Sequence, residues 1–116
     1  MSNKPEPKAD VLQGTLDLMV LQTVDGLGPV HGYAIAARLE QTSNGALQLN
    51  MGTLYPALMR LEQRGFLKGA WGVTDTNRKA RFYSLTPAGR RRLEVEKADW
   101  AQTAGTIQRL LTEDIS

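Results

Sequence analysis

The segment that most restricts the fold is residues 50–64, where apolar and polar side chains alternate with the period of a helix. Its apolar side chains recur at spacings of three and four residues: Met51, Leu54, Leu58 and Leu61. Such spacing places these side chains on one face of an amphipathic α-helix. Gly65 follows directly and is expected to end the helix. The chain must therefore cover this face with other elements.

The start of this helix is unusual because it contains a proline. Pro56 removes one backbone hydrogen bond and crowds the preceding turn. The sequence offers two solutions. Either Thr53 lies near the N-cap, which brings Pro56 into the first turn, or the helix begins at Asn50 and Gly52 leaves room for the ring. In both cases the face opposite the stripe carries Thr53, Pro56, Arg60 and Gln63, with Tyr55 on its flank.

Two helices are predicted ahead of this one, over residues 12–27 and from residue 32 to about residue 42. The apolar face of the first comprises Leu12, Leu16, Met19, Val20, Val24 and Leu27. The residues expected to point inward from the second are Tyr33, Ile35, Ala36 and Leu39. Ser43-Asn44-Gly45 is a stop signal for the second helix.

After Gly65 the sequence predicts a β-hairpin and a long helix. Residues 66–73 and 80–85 are β-prone runs, and a polar turn joins them. Thr86 suits an N-cap and Pro87 the first helical position. In the helix that runs to about residue 111, the apolar stripe comprises Leu93, Trp100, Ala104, Ile107 and Leu111. A second copy of the chain is the simplest partner to bury that stripe.

This order of elements predicts a mainly α fold with a small β-hairpin, namely a winged helix-turn-helix plus a long C-terminal helix. We expect a flexible tail over residues 1–11, a DNA-binding domain over residues 12–86 and a dimerisation helix over residues 87–116. His31 is assigned to the turn between the first two helices.

Composition excludes several classes of function. The chain has no cysteine and one histidine, so disulfides, thiol catalysis and Cys- or His-rich metal sites are excluded. No nucleophile–base pair or phosphate-binding loop is present, and an enzyme, a cofactor and a bound metal are not expected. The absence of a long apolar run or a secretion signal predicts a cytoplasmic protein without a membrane anchor.

Positive charge is concentrated between residues 76 and 93, a segment without a carboxylate. Its basic residues are Arg78, Lys79, Arg81, Arg90, Arg91 and Arg92. A local basic segment is typical of a nucleic-acid footprint. Charge alone, however, favours a merely solvated face.

Four segments in order resemble the PadR family of transcriptional regulators: Gly14-Thr-Leu-Asp-Leu-Met-Val-Leu21, Gly28-Pro-Val-His-Gly-Tyr33, Gly52-Thr-Leu-Tyr-Pro-Ala-Leu-Met-Arg-Leu-Glu-Gln-Arg-Gly65 and Arg81-Phe-Tyr-Ser-Leu-Thr-Pro-Ala-Gly-Arg-Arg-Arg-Leu93. The resemblance covers roughly residues 12–93 and points to the small subgroup with a single C-terminal dimerisation helix. It implies a homodimer that binds a palindromic operator and usually represses. It also implies that a small aromatic or cationic effector can release the DNA.

A recognition helix places its N-terminal residues near base edges in the major groove. The candidates for DNA contact are Asn50, Thr53, Tyr55, Pro56 and Arg60. Asn50 pairs with adenine or caps the helix, and Thr53 contacts a thymine methyl or a phosphate, or caps. Tyr55 matches the tyrosine of the family signature, and a buried tyrosine is the alternative. Arg60 is expected to point outward to DNA, the alternative being an exposed side chain near Glu62 or Gln63.

In the hairpin, Arg78, Lys79 and Arg81 are expected at the tip and return strand, where they would contact the minor groove or backbone. Arg90–Arg92 oppose the dipole of the last helix, which favours an outside anion or a neighbouring carboxylate. Trp100, Leu93 and Ile107 are candidates for the dimer interface. Two Trp100 rings facing each other could sandwich a flat effector, although interface packing is the simpler interpretation. Trp71 is a weaker candidate for the same role.

Two other interpretations remain at this point. A winged helix that contacts another protein would show no salt-dependent DNA affinity, and its wing arginines would have no purpose. A ligand-sensing dimer is distinguished by whether effector binding changes DNA affinity at all.

Overall fold

The computed structural model describes residues 8–113, with side chains from Gly14 onward. The elements in chain order are α1 (Lys8–Leu27), β1 (Val30–His31), α2 (Gly32–Thr42), α3 (Met51–Gln63), β2 (Leu67–Val73), β3 (Lys79–Leu85) and α4 (Pro87–Thr112). This order confirms the mainly helical fold with a hairpin and a long last helix. α1 begins at Lys8 and not at residue 12. Of the predicted tail, residues 1–7 lie outside the described residues.

The three strands form one antiparallel sheet in the order β1-β3-β2. β2 and β3 pair along their whole length, from Leu67 opposite Leu85 to Val73 opposite Lys79. β1 adds the pairs Val30–Tyr83 and His31–Phe82, so the assignment of His31 to a turn between helices was wrong. A two-residue strand is too short to show the alternation by which strands are recognised in a sequence.

The hydrophobic core lies where α1, α2 and α3 meet the sheet. The predicted stripe of α3 is confirmed for Leu54, Leu58 and Leu61, which are all buried. The prediction for Tyr33 was wrong, because 71% of this side chain is exposed. Tyr33 and Ile35 are two residues apart, which is about 200° around a helix, so only one of them can face the core. Ile35 is fully buried, and Tyr33 therefore points outward.

Of the two predicted ways to accommodate Pro56, α3 uses the second, in which the helix begins at Asn50. Asn50 is the N-cap, and its side-chain oxygen accepts a hydrogen bond of 2.9 Å from the Thr53 amide. Thr53 is therefore not the cap, and Pro56 lies beyond the first turn with Gly52 four residues before it. At the other end Gly65 adopts a φ of +81°, which is left-handed backbone that favours glycine.

α4 is anchored to the domain by its first two turns. The Thr86 hydroxyl accepts a hydrogen bond from the Gly89 amide (2.9 Å) and donates one to the Gly65 carbonyl (2.6 Å). This confirms the predicted Thr-Pro start of the helix. Leu93 is only 2% exposed and belongs to the core of its own domain. Its assignment to the dimer interface was therefore wrong.

Candidate nucleic-acid interface

An open cleft of about 750 Å³ separates the β2–β3 hairpin, called the wing from here on, from the N-terminal ends of α2 and α3. Three of the aromatic side chains along this cleft, called the wing cleft below, are largely exposed: Tyr33 (71%), Tyr55 (48%) and Trp71 (64%). Three cations line it as well: Arg78, Lys79 and Arg81. Aromatic faces interleaved with cations suit contact with nucleic acid.

Tyr55 projects into this cleft from the flank of α3 that faces the wing. The alternative of a buried tyrosine is wrong, because about half of the side chain is accessible. Pro56 and Asn50 are exposed near the same end of α3, and Asn50 also serves as the cap. Thr53 is partly buried and does not line the cleft.

Arg60 does not lie on the free outward face that the sequence predicted. Its guanidinium is 2.7 Å from the carboxylate of Asp17 on α1, and 27% of the side chain is exposed. Ala57, three residues before Arg60, is 1% exposed, so the buried face of α3 is wider than the predicted stripe. Arg60 stands at the edge of that face, towards α1. The outward position is taken by Met59, which is 55% exposed.

Arg81 is held inside the wing cleft by Glu62 of α3. Its Nη2 lies 2.5 Å from Oε2 of Glu62, and its Nε lies 3.4 Å from Oε1. The hydrogen bond to Glu62 raises the pKa of Arg81 above its ordinary value, although burial opposes this. The guanidinium carbon is 5.7 Å from the centre of the Trp71 ring. Arg81 thus lies on the return strand of the wing, as predicted, but is paired with a carboxylate of α3.

Arg78 and Lys79 are the exposed cations at the tip of the wing. The tip is closed by a hydrogen bond from the Thr74 amide to the Arg78 carbonyl, with Asn77 in the left-handed region at φ +63°. The Lys79 amine lies 5.3 Å from the centre of the Trp71 ring. The wing therefore presents one cation at its turn and a second stacked on an aromatic face.

Two of the three arginines at the start of α4 are paired with carboxylates. Arg90 is 2.6 Å from Asp25 of α1, and Arg92 is 2.7 Å from Glu96 one turn later. The neighbouring-carboxylate explanation is thus confirmed for these two residues. The basic segment seen in the sequence divides in space between the wing cleft and the base of α4.

The far half of α4 carries a separate set of exposed apolar residues: Trp100 (49%), Ile107 (47%), Leu110 (64%) and Leu111 (76%). Trp71, by contrast, lies on the wing cleft. The two tryptophans therefore belong to different surfaces.

The sequence did not indicate Tyr33 as a residue that lines the wing cleft, or Glu62 as the partner of Arg81 there. The signal for Glu62 was available, since it lies seven residues, or about two turns, after Tyr55 and so on the same flank of α3. The signal for Tyr33 was its position two residues before Ile35.

Within residues 8–113, no three or more His, Cys, Asp or Glu side chains are grouped so that they could hold a metal ion. In the same part of the chain, no helix has both the length and the apolar character required to cross a membrane.

Three helices, a three-stranded sheet and a wing beside the third helix define a winged helix-turn-helix protein. The chain belongs to the PadR-like family of transcriptional regulators, whose family model matches residues 20–95. This confirms the resemblance found in the sequence. The family and the solved structures named below are transcriptional regulators and not enzymes.

Two curated relatives match part of the chain. An uncharacterized 37.1 kDa protein in transposon TN4556 of Streptomyces fradiae is 40% identical over 80 residues, which cover 69% of this chain and 21% of the relative. Transcriptional regulator Rv3488 of Mycobacterium tuberculosis is 40% identical over 68 residues, which cover 59% of this chain and 60% of the relative. The matched regions thus span less than two thirds of either relative.

Solved structures resemble the chain over most of its length. A transcriptional regulator from Clostridium thermocellum superposes with a TM-score of 0.76 at 27% identity, covering 86% of this chain and 96% of that one. A PadR family transcriptional regulator from Eggerthella lenta does so with a TM-score of 0.74 at 28% identity, covering 90% and 88%. The winged-helix fold with a long last helix is shared across these proteins.

Proposed function

We propose that this chain is a transcriptional repressor that binds a palindromic operator in duplex DNA as a homodimer. The observation that carries the proposal is the wing cleft, where Tyr55 of α3 and the cations of the wing face one open space. A recognition helix beside a basic wing can engage base edges and phosphates of the same duplex.

The N-terminal end of α3 is proposed to enter the major groove. Asn50, Thr53, Tyr55 and Pro56 would lie nearest the bases, since they form the first turns of the helix. Arg60 keeps its bond to Asp17 in this proposal. A guanidinium has five N–H donors, so the others remain for a phosphate or a guanine.

The wing is proposed to contribute affinity that does not depend on sequence. Arg78 and Lys79 are exposed and would contact the minor groove or the backbone, and Arg81, held by Glu62, would face the same duplex from within the wing cleft. Contacts to phosphates release counterions, which makes this part of the affinity sensitive to salt.

The homodimer is proposed to form through the far half of α4, with residues 12–86 as the DNA-binding part of each protomer and residues 87–116 as the dimerisation helix. Trp100 and Ile107 are half-exposed on this helix, and a second copy would cover them. A two-fold dimer matches a palindromic operator whose half-sites lie about 34–36 Å apart.

Release by a small molecule is proposed at the same interface. Trp100 from each protomer would sandwich a flat aromatic effector, for which an exposed indole ring is suited. Binding there would change the separation of the two recognition helices. The prediction is reciprocal, since an effector that weakens DNA binding must itself bind less tightly to the DNA complex.

The experiment that tests the function is a titration of the purified full chain with its own upstream DNA and with an arbitrary duplex, across a range of salt concentrations. We expect tighter binding to the upstream DNA and an affinity for both duplexes that falls steeply with salt. Equal, salt-insensitive binding to both would contradict the proposal. That outcome would favour a winged helix that contacts protein, or a dimer that senses a ligand.

Arg78→Ala provides the residue-level version of this test. The variant should bind both duplexes more weakly, and to a similar extent. The decrease of log affinity with log salt concentration should become shallower by about 0.9 per lost phosphate contact. Arg109→Ala is the matched control, because Arg109 is an exposed cation near the far end of α4, away from the wing cleft and on the side of the helix opposite Trp100. If Arg78→Ala binds DNA as tightly as Arg109→Ala does, the wing is not part of the DNA-binding surface.

A further inference from the structure

Arg81, one of the cations that line the wing cleft together with Asp75 of the wing turn, is bound by a carboxylate, a group that a phosphate-binding surface would not be expected to need. Glu62 lies on the wing-facing flank of α3 and bonds to Arg81 through both of its oxygens. Of the three cations along the cleft, Arg81 is the one with a carboxylate partner in the described structure. The pair thus removes a positive charge from the surface proposed to face DNA.

The surroundings of the pair hold it in place. Arg81 stands opposite Trp71 in the β2–β3 register, and its guanidinium lies near the indole ring. Gly69 leaves the room, because a Cβ at this position would lie 2.5 Å from Nε of Arg81. The side chains of Arg81 and Glu62 are only 30% and 29% exposed. Partial burial and several contacts make this pair more ordered than a typical surface pair.

A carboxylate at this point affects two kinds of DNA complex differently. Binding to an arbitrary duplex depends almost entirely on phosphate contacts, so a neutralised Arg81 and a negative Glu62 both weaken it. Binding to an operator also requires α3 and the wing to be held at a fixed separation while base edges are read. The Glu62–Arg81 pair joins these two elements directly.

We propose that Glu62 is a specificity-determining positioning residue, which holds Arg81 against Trp71 and thereby suppresses binding to arbitrary duplex DNA relative to the operator. This inference rests on the proposed function and names a regulation of the same site. The DNA whose binding is suppressed is any duplex that offers phosphates but lacks the base sequence of the operator.

The test compares Glu62→Gln with Glu94→Gln in the full chain. Glutamine keeps the size and a hydrogen-bond acceptor but removes the charge, and Glu94 is an exposed carboxylate on α4, away from the wing cleft. Both variants are titrated with the upstream DNA and with an arbitrary duplex over a range of salt concentrations. A thermal melt of each variant shows that the domain is folded.

We expect Glu62→Gln to bind the arbitrary duplex about two- to fivefold more tightly, as for one exposed ion pair gained. Its salt slope should be steeper by about 0.9, as for one additional phosphate contact. The preference for upstream DNA should fall by at least the same factor. The double variant Glu62→Gln with Arg81→Gln should lose the gain, because the released cation is then absent. Glu94→Gln should match wild type.

A weaker affinity of Glu62→Gln for both duplexes would overturn the inference, since Glu62 would then only support the shape of the wing. Unchanged affinity and unchanged slope would overturn it as well. Failure of the proposed function looks different: the wild-type chain itself would then bind neither duplex in a salt-dependent manner, and the inference would fall with it.

Discussion

The two halves of α4 carry the same apolar stripe but have different surroundings. In the first half Gly89 and Leu93 are buried against the domain, and Thr86 ties the helix start to the end of α3. In the second half Trp100 and Ile107 on the same stripe are about half exposed. One helix is thus part of a domain core at its base and an unpartnered surface at its far end.

The difference shows what a hydrophobic period can and cannot indicate. Spacings of seven residues from Leu93 to Trp100 and Ile107 establish that these side chains share a face. The spacing does not say whether that face meets the same chain or a second one. Here the domain covers the stripe only as far as Leu93, and the remainder of the helix extends past it.

Of the substitutions that test the difference between the two halves of α4, Leu93→Ala is expected to have the largest effect on stability. Removing a buried leucine side chain leaves a cavity, and the free energy of unfolding should fall by about 2–5 kcal/mol. Val95→Ala is the control from the same helix, since Val95 is 50% exposed, and its effect should stay within about 0.5 kcal/mol. Urea denaturation of both variants checks this. Equal losses would mean that Leu93 is not part of the domain core.

The two glycines of α4 allow a second contrast. A Cβ at Gly89 would lie 2.0 Å from the Phe66 carbonyl oxygen, so Gly89→Ala must displace the helix and should cost about 1–3 kcal/mol. A Cβ at Gly105 meets nothing closer than 3.6 Å, so Gly105→Ala should stabilise the helix by about 0.5–1 kcal/mol. Thermal melts should show shifts of opposite sign. Shifts of the same sign would refute the separation into an anchored and a projecting half.

The projecting half is tested by Trp100→Gln. We expect the proposed dimer to weaken by about tenfold in its dissociation constant, which corresponds to about 1.4 kcal/mol, while the domain remains folded. Val95→Gln is the control, because Val95 is equally exposed but lies on another side of the helix. Sedimentation over a range of concentrations measures the change. A Trp100→Gln variant with the wild-type mass distribution would show that the dimer does not use this stripe.

The smallest effect is expected at the ion pair between the base of α4 and α1. Arg90 is 63% exposed and Asp25 is 29% exposed, so water screens their attraction. Arg90→Gln should lower the stability by less than about 1 kcal/mol. Thermal melts at low and high salt measure the loss, which should shrink as salt rises. A loss comparable to that of Leu93→Ala would show that charge, and not the buried stripe, anchors the helix.

Much of the fold was predictable because its signals lie within a few residues of one another. Asn50 before α3 and Thr86-Pro87 before α4 are local caps, and the structure uses both. The stripe of α3 and the stop at Gly65 are likewise properties of a single segment. Such signals depend on backbone geometry that each segment carries by itself.

The candidate site was predicted less completely, since its charges depend on neighbours from distant segments. Arg60 meets Asp17 across 43 positions of the chain, and Arg81 meets Glu62 across 19. Arg60 was expected to point outward and instead pairs with α1, and the pairing of Arg81 with α3 was not predicted. Nothing in the local pattern shows which carboxylate a flanking arginine will reach.

The sequence by itself determined the order of the helices and the hairpin, the cap of α4 and most of the side chains that form the core, and it narrowed the start of α3 to two alternatives. Only the tertiary structure decided that Val30–His31 joins the sheet, that Leu93 belongs to its own domain and that Glu62 holds Arg81. The reason is the separation along the chain over which each interaction acts. Helical period and capping act over a few residues, whereas strand addition, burial and ion pairing depend on how finished elements approach one another in space.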